Sequence, residues 1–222
     1  MSSKNKLYKF AENETFKCLL QPSTEEVFNT DHPMKGHWGE KMFGNNHPIV
    51  LELGCGKGEY TIGLAQRFPE NNYIGVDIKG ARLWKGAKYA TENNLPNVAF
   101  LRTRIEFINS LFAPGEVSQI WLTFSDPQPH KPRKRLSSEI FLQRYAQMLV
   151  PDGVLHLKTD SRLLYESTLE VIAQGGHRLI EHCPDIYGTG RATPDDVLSV
   201  KTFYESQFLA QGLPITYIKW SL

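Results

Sequence analysis

Residues 49–59 read Ile49-Val50-Leu51-Glu52-Leu53-Gly54-Cys55-Gly56-Lys57-Gly58-Glu59, a run of strand-forming residues that gives way to three alternating glycines. Glycine has no Cβ, so a glycine-rich backbone can turn sharply and come close to a ligand. An amphipathic segment that suits a helix begins at Tyr60. Strand, glycine turn and helix in this order predict the first unit of a Rossmann-like α/β domain, with a ligand at the turn.

The two carboxylates beside this turn, Glu52 and Glu59, favour one kind of ligand. A dinucleotide brings an anionic pyrophosphate, which acids repel, and the glycine spacing departs from the G-x-G-x-x-G pattern of dinucleotide sites. S-adenosylmethionine (SAM) carries no phosphate and has a sulfonium and an ammonium group, which carboxylates attract. We therefore predict a SAM site held by Glu52, Gly54, Gly56 and Gly58, with a turn that binds nothing as the alternative.

The composition indicates one domain of moderate size. The chain has 222 residues, 41% of them hydrophobic, and a net charge of +1, so contact with a nucleic acid requires a local cluster of cations. The three cysteines and seven histidines follow no spacing typical of metal sites, and we expect no metal. Since no signal peptide or membrane-spanning run is visible, we expect a cytoplasmic protein.

The chain divides into two parts at about residue 47. Residues 1–46 mix lysines with aromatic residues, and we expect a partly ordered arm that is available for RNA contact. Residues 47–222 alternate strand and helix patterns, which predicts a class I SAM-dependent methyltransferase domain: a seven-stranded, mostly parallel sheet with helices on both faces. The predicted strands are Ile49–Leu53, Tyr73–Asp77, Val98–Arg102, Gln119–Phe124, Val154–Lys158, Arg178–His182 and Ile215–Trp220. The predicted helices are Tyr60–Phe68, Ala81–Asn93, Glu106–Phe112, Ser138–Leu149, Ser161–Ala173 and Val200–Ala210.

Acidic residues follow several predicted strands, at the edge where doubly wound sheets bind ligands. Asp77 closes the second strand, where a carboxylate can accept hydrogen bonds from two ribose hydroxyls; capping of the next helix is the alternative. Asp126 precedes Pro127, which disfavours a helix and leaves the carboxylate at a rigid strand end over the cofactor's methyl group. A plain Asp-Pro turn is the alternative. Asp160 either caps the following helix or hydrogen-bonds the edge of a base, or does both.

Two further segments are predicted to bind the substrate. The run His130-Lys131-Pro132-Arg133-Lys134-Arg135 places cations beside Asp126, which predicts binding of RNA phosphates, with a solvated charged surface as the alternative. The motif Thr202-Phe203-Tyr204-Glu205 opens the last helix, where Glu205 can accept hydrogen bonds from N–H groups of a base. A simple helix start with a solvated acid is the alternative.

Together these motifs resemble those of one enzyme family. The chain is similar, from about Pro48 to the C-terminus, to the bacterial tRNA (guanine-N7-)-methyltransferases of the TrmB type. The matching motifs are Glu52-x-Gly-x-Gly-x-Gly, Gly75-Val76-Asp77, Phe124-Ser125-Asp126-Pro127 with its basic tail, Lys158-Thr159-Asp160 and Thr202-x-Tyr-Glu205. The resemblance implies SAM-dependent methylation of N7 of a guanosine in the tRNA variable loop. It assigns Glu52, Asp77 and Asp126 to SAM, Asp126 also to catalysis, and Asp160 with residues 202–205 to the tRNA.

Three positions depart from the family pattern. Gln128 stands where a Trp usually follows Asp-Pro, and His130 stands where a Lys is common. Arg104-Ile105 replaces an Asp-Ala pair near the adenine, which leaves the backbone N–H of Ile105 as the group available to SAM there. None of these changes removes a group that methyl transfer itself needs.

Other functions stay open on the sequence alone. One is a SAM-dependent N-methyltransferase that acts on another RNA base or on a small amine. Others are a non-catalytic subunit that binds SAM or RNA, and a nucleotide-dependent oxidoreductase. For partners we expect tRNA, without DNA or a membrane, and a chain that acts as a monomer or a homodimer.

Overall fold

The centre of the molecule is a single sheet of eight strands. The structure, a computed structural model, describes residues 3–222, with side chains from Lys6 onward. The order across the sheet is β1-β4-β3-β2-β5-β6-β8-β7. Neighbours are parallel except for the antiparallel pairs β6–β8 and β8–β7. The strands are β1 (Leu19–Leu20), β2 (Ile49–Leu53), β3 (Asn72–Asp77), β4 (Val98–Arg102), β5 (Val117–Thr123), β6 (Leu149–Thr159), β7 (Arg178–Cys183) and β8 (Thr216–Ser221).

Both faces of the sheet are covered, which explains the long apolar runs of its central strands. Every residue of β2 and β3 is buried, and Val50 and Leu51, neighbours in β2, belong to separate apolar clusters on opposite faces. Within residues 3–222, no helix combines the length and apolar character that crossing a lipid bilayer requires. The helices are α1 (Ser3–Asn13), α2 (Thr24–Val27), α3 (Glu59–Arg67), α4 (Gly80–Glu92), α5 (Glu139–Ala146), α6 (Arg162–Gln174) and α7 (Phe203–Ala210), with a π-helix at Trp38–Phe43 and 3-10 turns at Ile105–Ser110, Pro132–Lys134 and Val197–Ser199.

The predicted parallel α/β fold is confirmed, but the predicted number of strands is wrong. The extra strand is β1, whose residues Leu19 and Leu20 pair with Phe100 and Leu101 of β4 and extend that edge of the sheet. Two residues are too few to show the alternation that identifies a strand in a sequence. The other seven strands are those predicted.

Three predicted helices differ from the observed ones. The predicted helix 200–210 begins only at Phe203, because Val200 follows a 3-10 turn and Thr202 is the N-cap residue of α7. The segment 106–112 forms a 3-10 helix over Ile105–Ser110 instead of an α-helix. The predicted helix 138–149 ends at Ala146, because Leu149 already pairs with β5 as the first residue of β6. Leu149 suits a helix as well as a strand, so the sequence pattern alone places the end of this helix too late.

The described part of the N-terminal segment packs against the domain. The helix α1 contacts α4, and the π-helix contributes Trp38, which is fully buried. The indole N–H of Trp38 donates to the carbonyl of Leu111 at 2.8 Å, and its ring stacks on Phe112 with 5.2 Å between centroids. The division of the chain near residue 47 stays a prediction.

Candidate active site

A cleft of about 960 Å³ opens at the carboxyl ends of the parallel strands. Five strands place residues there: Gly54 follows β2, Asp77 ends β3, Thr103 follows β4, Ser125 follows β5 and Asp160 follows β6. Parallel strands end at a common edge, so residues far apart in sequence meet in one site. Of the predicted site residues, the cleft is lined by Gly54, Asp77, Ile105, Asp126, Arg133, Asp160 and Tyr204. The lining does not include Glu52, Gly56, Gly58, His130, Lys131, Thr202, Phe203 or Glu205.

The glycine turn between β2 and α3 adopts a left-handed backbone that other residues rarely adopt. The angle φ is +80° at Gly54, +59° at Gly56 and +74° at Gly58. A Cβ at Gly58 would lie 2.4 Å from the ring of Phe100, so packing alone demands glycine there. A Cβ at Gly54 would meet only Leu136, at 3.9 Å, and would take up space in the cleft that Gly54 lines. The turn therefore keeps the wall of the cleft free of side chains.

Glu52 lies beneath the turn and is 4% exposed. Its carboxylate accepts hydrogen bonds from the backbone N–H of Thr61, at 2.8 Å, and from the hydroxyls of Thr61 and Thr123. Burial raises the pKa of Glu52 to about 7, although these hydrogen bonds act in the opposite direction. The side chain thus ties β2 to α3 and β5 and positions the turn. The direct contact with SAM predicted for this carboxylate stays a prediction: Glu52 does not line the cleft, and its two oxygens accept three hydrogen bonds from the protein.

The wild type is expected to lose stability as the pH rises towards neutral, and we expect Glu52→Gln to abolish this loss. The pKa of Glu52 is about 7 in the folded protein, against an ordinary value of 4.5. Between these values the folded state binds more protons than the unfolded state, so the wild type loses stability as the pH rises, by up to roughly 3 kcal/mol from this group. A Gln side chain has no charge: its oxygen can accept both hydrogen bonds from Thr61, and its amide N–H can donate to the Thr123 hydroxyl, which reverses the direction of that bond.

Urea unfolding of both proteins at about pH 5 and about pH 8 measures this effect. The free energy of unfolding of Glu52→Gln minus that of the wild type should be larger at about pH 8 than at about pH 5. The exposed Glu70 provides the control variant, Glu70→Gln, which makes the same substitution at a carboxylate on the surface. Parallel pH profiles of Glu52→Gln and wild type would show that Glu52 ionises normally.

Asp77 holds the glycine turn from the side of the cleft. One carboxylate oxygen accepts the backbone N–H of Gly56 at 3.0 Å, and the other accepts that of Lys79 at 2.7 Å. Lys79 itself occupies the cap position of α4, so the alternative prediction, that Asp77 caps this helix, is wrong. Each carboxylate oxygen has further lone-pair capacity. Asp77 is therefore fixed in place with acceptor sites left for a ligand.

The loop after β5 contains two strained backbone positions. The angle φ is +49° at Phe124 and +43° at Gln128, in a region that non-glycine residues occupy mainly at functional sites. Between them, Asp126 is exposed in the cleft, and its two oxygens accept the backbone N–H of Gln128 at 3.0 Å and its side-chain amide at 2.9 Å. The Oγ atom of Ser125 is buried and has no hydrogen-bond partner within residues 3–222. The loop thus presents an oriented carboxylate to the cleft and, within the described residues, buries one unpaired hydroxyl beside it.

Several cations surround the cleft. Arg133 lines it as predicted for the basic run, whereas His130 and Lys131 are exposed beyond the lining. Lys134 of the same run also lines the cleft, and three further lining cations lie outside that run: Arg82, Arg104 and Arg144. Arg82 and Arg144 come from α4 and α5, where no run of charges distinguishes them in the sequence. Their role becomes apparent only when the fold brings these helices to the cleft.

Asp160 lies at the end of the cleft formed by β6. It is partly buried, and burial raises the pKa of its carboxyl. The next helix is capped by Ser161, whose hydroxyl accepts the backbone N–H of Leu164 at 3.2 Å, so the alternative of a cap by Asp160 is wrong. Within residues 3–222, no three His, Cys, Asp or Glu side chains are grouped closely enough to hold a metal ion.

Residues 202–205 are divided between the start of α7 and the cleft. Thr202 and Glu205 form a capping box: the Thr202 hydroxyl accepts the Glu205 N–H at 3.1 Å, and the Glu205 carboxylate accepts the Thr202 N–H at 3.3 Å. Glu205 is also fully buried, 2.7 Å from Nζ of Lys158. Its predicted contact with a base is therefore not seen, because the protein itself uses the carboxylate. Tyr204 lines the cleft, and Phe203, 53% exposed, precedes it.

A family model and several full-length relatives that match this chain are methyltransferases. A family model described as "Putative methyltransferase" matches residues 46–217. The tRNA (guanine-N(7)-)-methyltransferase of Christiangramia forsetii is 51% identical over 224 residues, which cover 100% of both chains. The enzymes with the same name from Bacteroides thetaiotaomicron and Cytophaga hutchinsonii are 50% and 40% identical, covering 99% and 98% of this chain and 86% and 97% of their own.

Solved structures share the fold at much lower identity. The 16S rRNA methyltransferase KamB superimposes with a TM-score of 0.63 at 16% identity, over 82% of this chain and 91% of KamB. A phosphoethanolamine N-methyltransferase of Haemonchus contortus, in complex with SAM, gives a TM-score of 0.53 at 14% identity, over 97% of this chain and 57% of its own. These likenesses establish the class I SAM methyltransferase fold. Since its full-length relatives in several bacteria carry one name, the chain belongs to the bacterial tRNA (guanine-N(7)-)-methyltransferase family.

Proposed function

We propose that this protein transfers the methyl group of SAM to N7 of a guanosine in the variable loop of tRNA. The observation that carries the proposal is the cleft, in which Asp77 and the oriented Asp126 lie together and are surrounded by cations. Two tRNA (guanine-N(7)-)-methyltransferases are 51% and 50% identical to this chain over 100% and 99% of its length, which supports the substrate and the position of methylation. We further propose a cytoplasmic monomer or homodimer that uses no metal and does not act on DNA.

The cleft has the properties that SAM requires. Its volume of about 960 Å³ lies within the range of small-molecule sites, roughly 300–1,000 Å³. At its wall Gly54 leaves room that any side chain would fill, and Ser125 Oγ is a buried polar atom without a partner in the part of the chain that the structure describes. Asp77 would accept ribose hydroxyls through its free lone pairs, and the N–H of Ile105 would contact the adenine. The carboxylates of the cleft would offset the positive charges of the ligand.

The chemistry needs alignment more than proton transfer. When bound, SAM supplies a methyl group on a positively charged sulfur, which keeps the electron pair of the bond that breaks. Guanine N7 has an in-plane lone pair, so the protein need not remove a proton before attack. The ring gains positive charge as the new bond forms, and the fixed carboxylate of Asp126 stabilises that charge. Gln128 keeps Asp126 in place, which lowers the cost of orienting it in each reaction.

The tRNA would enter where the cations and aromatic residues meet. Arg133, Lys134 and Arg144 line the cleft and would contact phosphates on either side of the target nucleotide. Asp160 remains available to accept hydrogen bonds from a base edge, and Tyr204 offers an exposed ring on which a base can stack. His130 and Lys131 would extend the phosphate contact beyond the cleft.

The direct test uses purified protein, SAM labelled in the methyl group, and bulk tRNA. We expect label in tRNA, and strand cleavage selective for N7-methylguanosine should map it to the variable loop. A matched transcript in which this guanosine is replaced by adenosine should accept no label. Label at another base or in a small amine would replace the proposal by a different N-methyltransferase. Binding of SAM and tRNA without transfer would make the protein a binding subunit.

Ser125→Ala should lower activity without lowering stability. Within the described residues the buried hydroxyl has no partner, so its removal relieves a desolvation cost, and the free energy of unfolding should stay equal or rise. If the hydroxyl binds SAM or the guanine, loss of that hydrogen bond should reduce kcat/KM on the order of tenfold. Urea unfolding and methylation kinetics measure the two effects.

Ser118→Ala is the matched control for this variant. The Ser118 hydroxyl donates to the carbonyl of Ile49 at 2.7 Å, outside the cleft lining. Its removal should lower stability and leave kcat/KM unchanged, the reverse of the result expected for Ser125. A Ser125→Ala enzyme that is destabilised but fully active would show that the hydroxyl has a structural partner instead.

A further inference from the structure

A group of cations lies beside the cleft, on the side where α1 packs on α4. We call it the α1/α4 basic surface; it consists of Lys6, Lys9, Lys79, Arg82 and Arg102. Within residues 3–222, none of these five forms an ion pair with a carboxylate. Further along α4 the cations are paired, Lys85 with Glu59 and Lys88 with Glu12. Unneutralised charge is thus concentrated near the start of α4.

Aromatic rings of this region hold several of the cations in place. Phe10 of α1 packs on Gly80, where an added Cβ would lie 2.8 Å from its ring. The charged groups of Lys6 and Arg102 lie 5.9 and 4.8 Å from the centre of the Phe10 ring. Lys9 lies 4.3 Å from the ring centre of Trp84 in the same way. Cation–π contacts of this kind orient a charge without neutralising it.

The α1/α4 basic surface is continuous with the cleft. Arg82 lines the cleft itself. Arg102 lines a smaller cavity of about 430 Å³ that shares Ile78, Thr103 and Arg104 with the cleft. The cations Arg133, Lys134 and Arg144 line the same cleft from the loop after β5 and from α5. A polyanion whose target base enters the cleft would therefore meet cations of the α1/α4 basic surface and cations of the loop after β5 and of α5.

We propose that the α1/α4 basic surface binds phosphates of the tRNA, so that the RNA backbone is held on both sides of the target guanosine. This inference rests on the function proposed above and assigns a role to the N-terminal helix. RNA suits the surface better than an anionic membrane does, because the cations lead into the cleft where a nucleotide must enter. Phosphate contacts position the RNA without reading its sequence.

The test compares two triple variants that change the charge equally. Lys6→Gln/Lys9→Gln/Lys79→Gln removes three cations of the surface, and glutamine keeps much of the aliphatic packing. Lys17→Gln/Lys35→Gln/Lys41→Gln removes three lysines that lie outside both α1 and α4 and do not belong to the α1/α4 basic surface. Circular dichroism should show both variants folded, and calorimetry should show wild-type affinity for SAM. Binding of tRNA is then measured over a series of salt concentrations.

The surface variant should bind tRNA more weakly and with a flatter dependence on salt. Each phosphate contact contributes about 0.7 to 0.9 to the slope of log K against log salt, so loss of three contacts should reduce the slope by roughly two units. The rate at saturating tRNA should stay at the wild-type value, and the control variant should match the wild type throughout.

Three outcomes would overturn the inference while leaving the proposed function intact. In the first, the surface variant shows the wild-type salt slope; in the second, the control variant loses as much slope as the surface variant. In the third, the surface variant loses binding to phosphatidylserine vesicles while its binding of tRNA is unchanged. The last would assign the surface to lipid. A wild-type protein that methylates no tRNA would instead refute the function itself.

Discussion

Asp126→Asn should retain the fold and lose on the order of a hundredfold or more in methyl transfer, the usual effect of removing one preorganised electrostatic contact. The variant keeps an acceptor for the backbone N–H of Gln128, and the Gln128 side-chain amide can turn over to accept from the new Asn. The loop geometry therefore survives and only the negative charge is removed. Because that charge matters most when the guanine ring becomes cationic, kcat should fall more than KM rises. Single-turnover methylation of tRNA at saturating SAM measures the chemical step.

The control is Asp195→Asn, which removes an equal charge from an exposed carboxylate outside the cleft. It should methylate tRNA at the wild-type rate, since surface substitutions of this kind have small effects. Calorimetry should also show that Asp126→Asn still binds SAM. Turnover by Asp126→Asn within a few-fold of the wild type would remove Asp126 from the mechanism, and weakened SAM affinity with a normal rate would make it a cofactor ligand.

The sequence predicted the site where its residues follow strand ends. Asp77, Asp126 and Asp160 each stand at the end of a strand or within three residues after it, and the rule that parallel strands share a carboxyl edge brings them into one cleft without further knowledge. Motifs of this type depend on local order along the chain. For that reason they survive errors in the strand count and in the helix boundaries.

What the sequence could not predict depends on contacts between distant segments. The buried acceptor Glu52 is satisfied by Thr61 and Thr123, which no spacing rule connects to it. Arg144 looks like an ordinary surface cation of an amphipathic helix until the fold places α5 beside the cleft. An acid that precedes or follows a motif can thus serve either the ligand or the scaffold. Only the burial of its oxygens distinguishes the two.

Lys158 and Glu205 are the clearest example of such a contact. Both side chains are fully buried, and the Lys158 ammonium lies 2.7 Å from the Glu205 carboxylate. Its other donors reach the carbonyls of Leu198 at 2.7 Å and Val200 at 2.9 Å. The hydroxyl of Tyr187 donates to Glu205 at 2.7 Å. One buried ammonium on β6 therefore fixes the segment that leads into α7 and Tyr204.

Burial makes this pair costly to break from one side. Desolvation lowers the pKa of Lys158 to about 8, although the nearby Glu205 acts to raise it. We expect Lys158→Met to leave an uncompensated buried carboxylate and to lower the free energy of unfolding by about 3–5 kcal/mol, and Glu205→Gln to cost a similar amount. The double variant Lys158→Met/Glu205→Gln leaves no buried charge, so its loss should be much smaller than the sum of the two.

The exposed ion pair Arg162–Glu166 is the control that separates the effect of burial from the effect of the N–O distance. Its N–O distance is also 2.7 Å, but its side chains are 81% and 53% exposed. Arg162→Met should therefore cost no more than about 0.5 kcal/mol. Urea unfolding of the four variants measures the comparison, and if a single variant does not fold, recovery of folding in the double variant still tests it.

A Lys158→Met protein as stable as Arg162→Met would mean that water or another cation compensates Glu205, and that the segment before α7 is not held by this pair. If the expected losses occur, the tRNA affinity of Lys158→Met below its unfolding temperature should also fall while SAM affinity is kept, because Tyr204 then loses its fixed position.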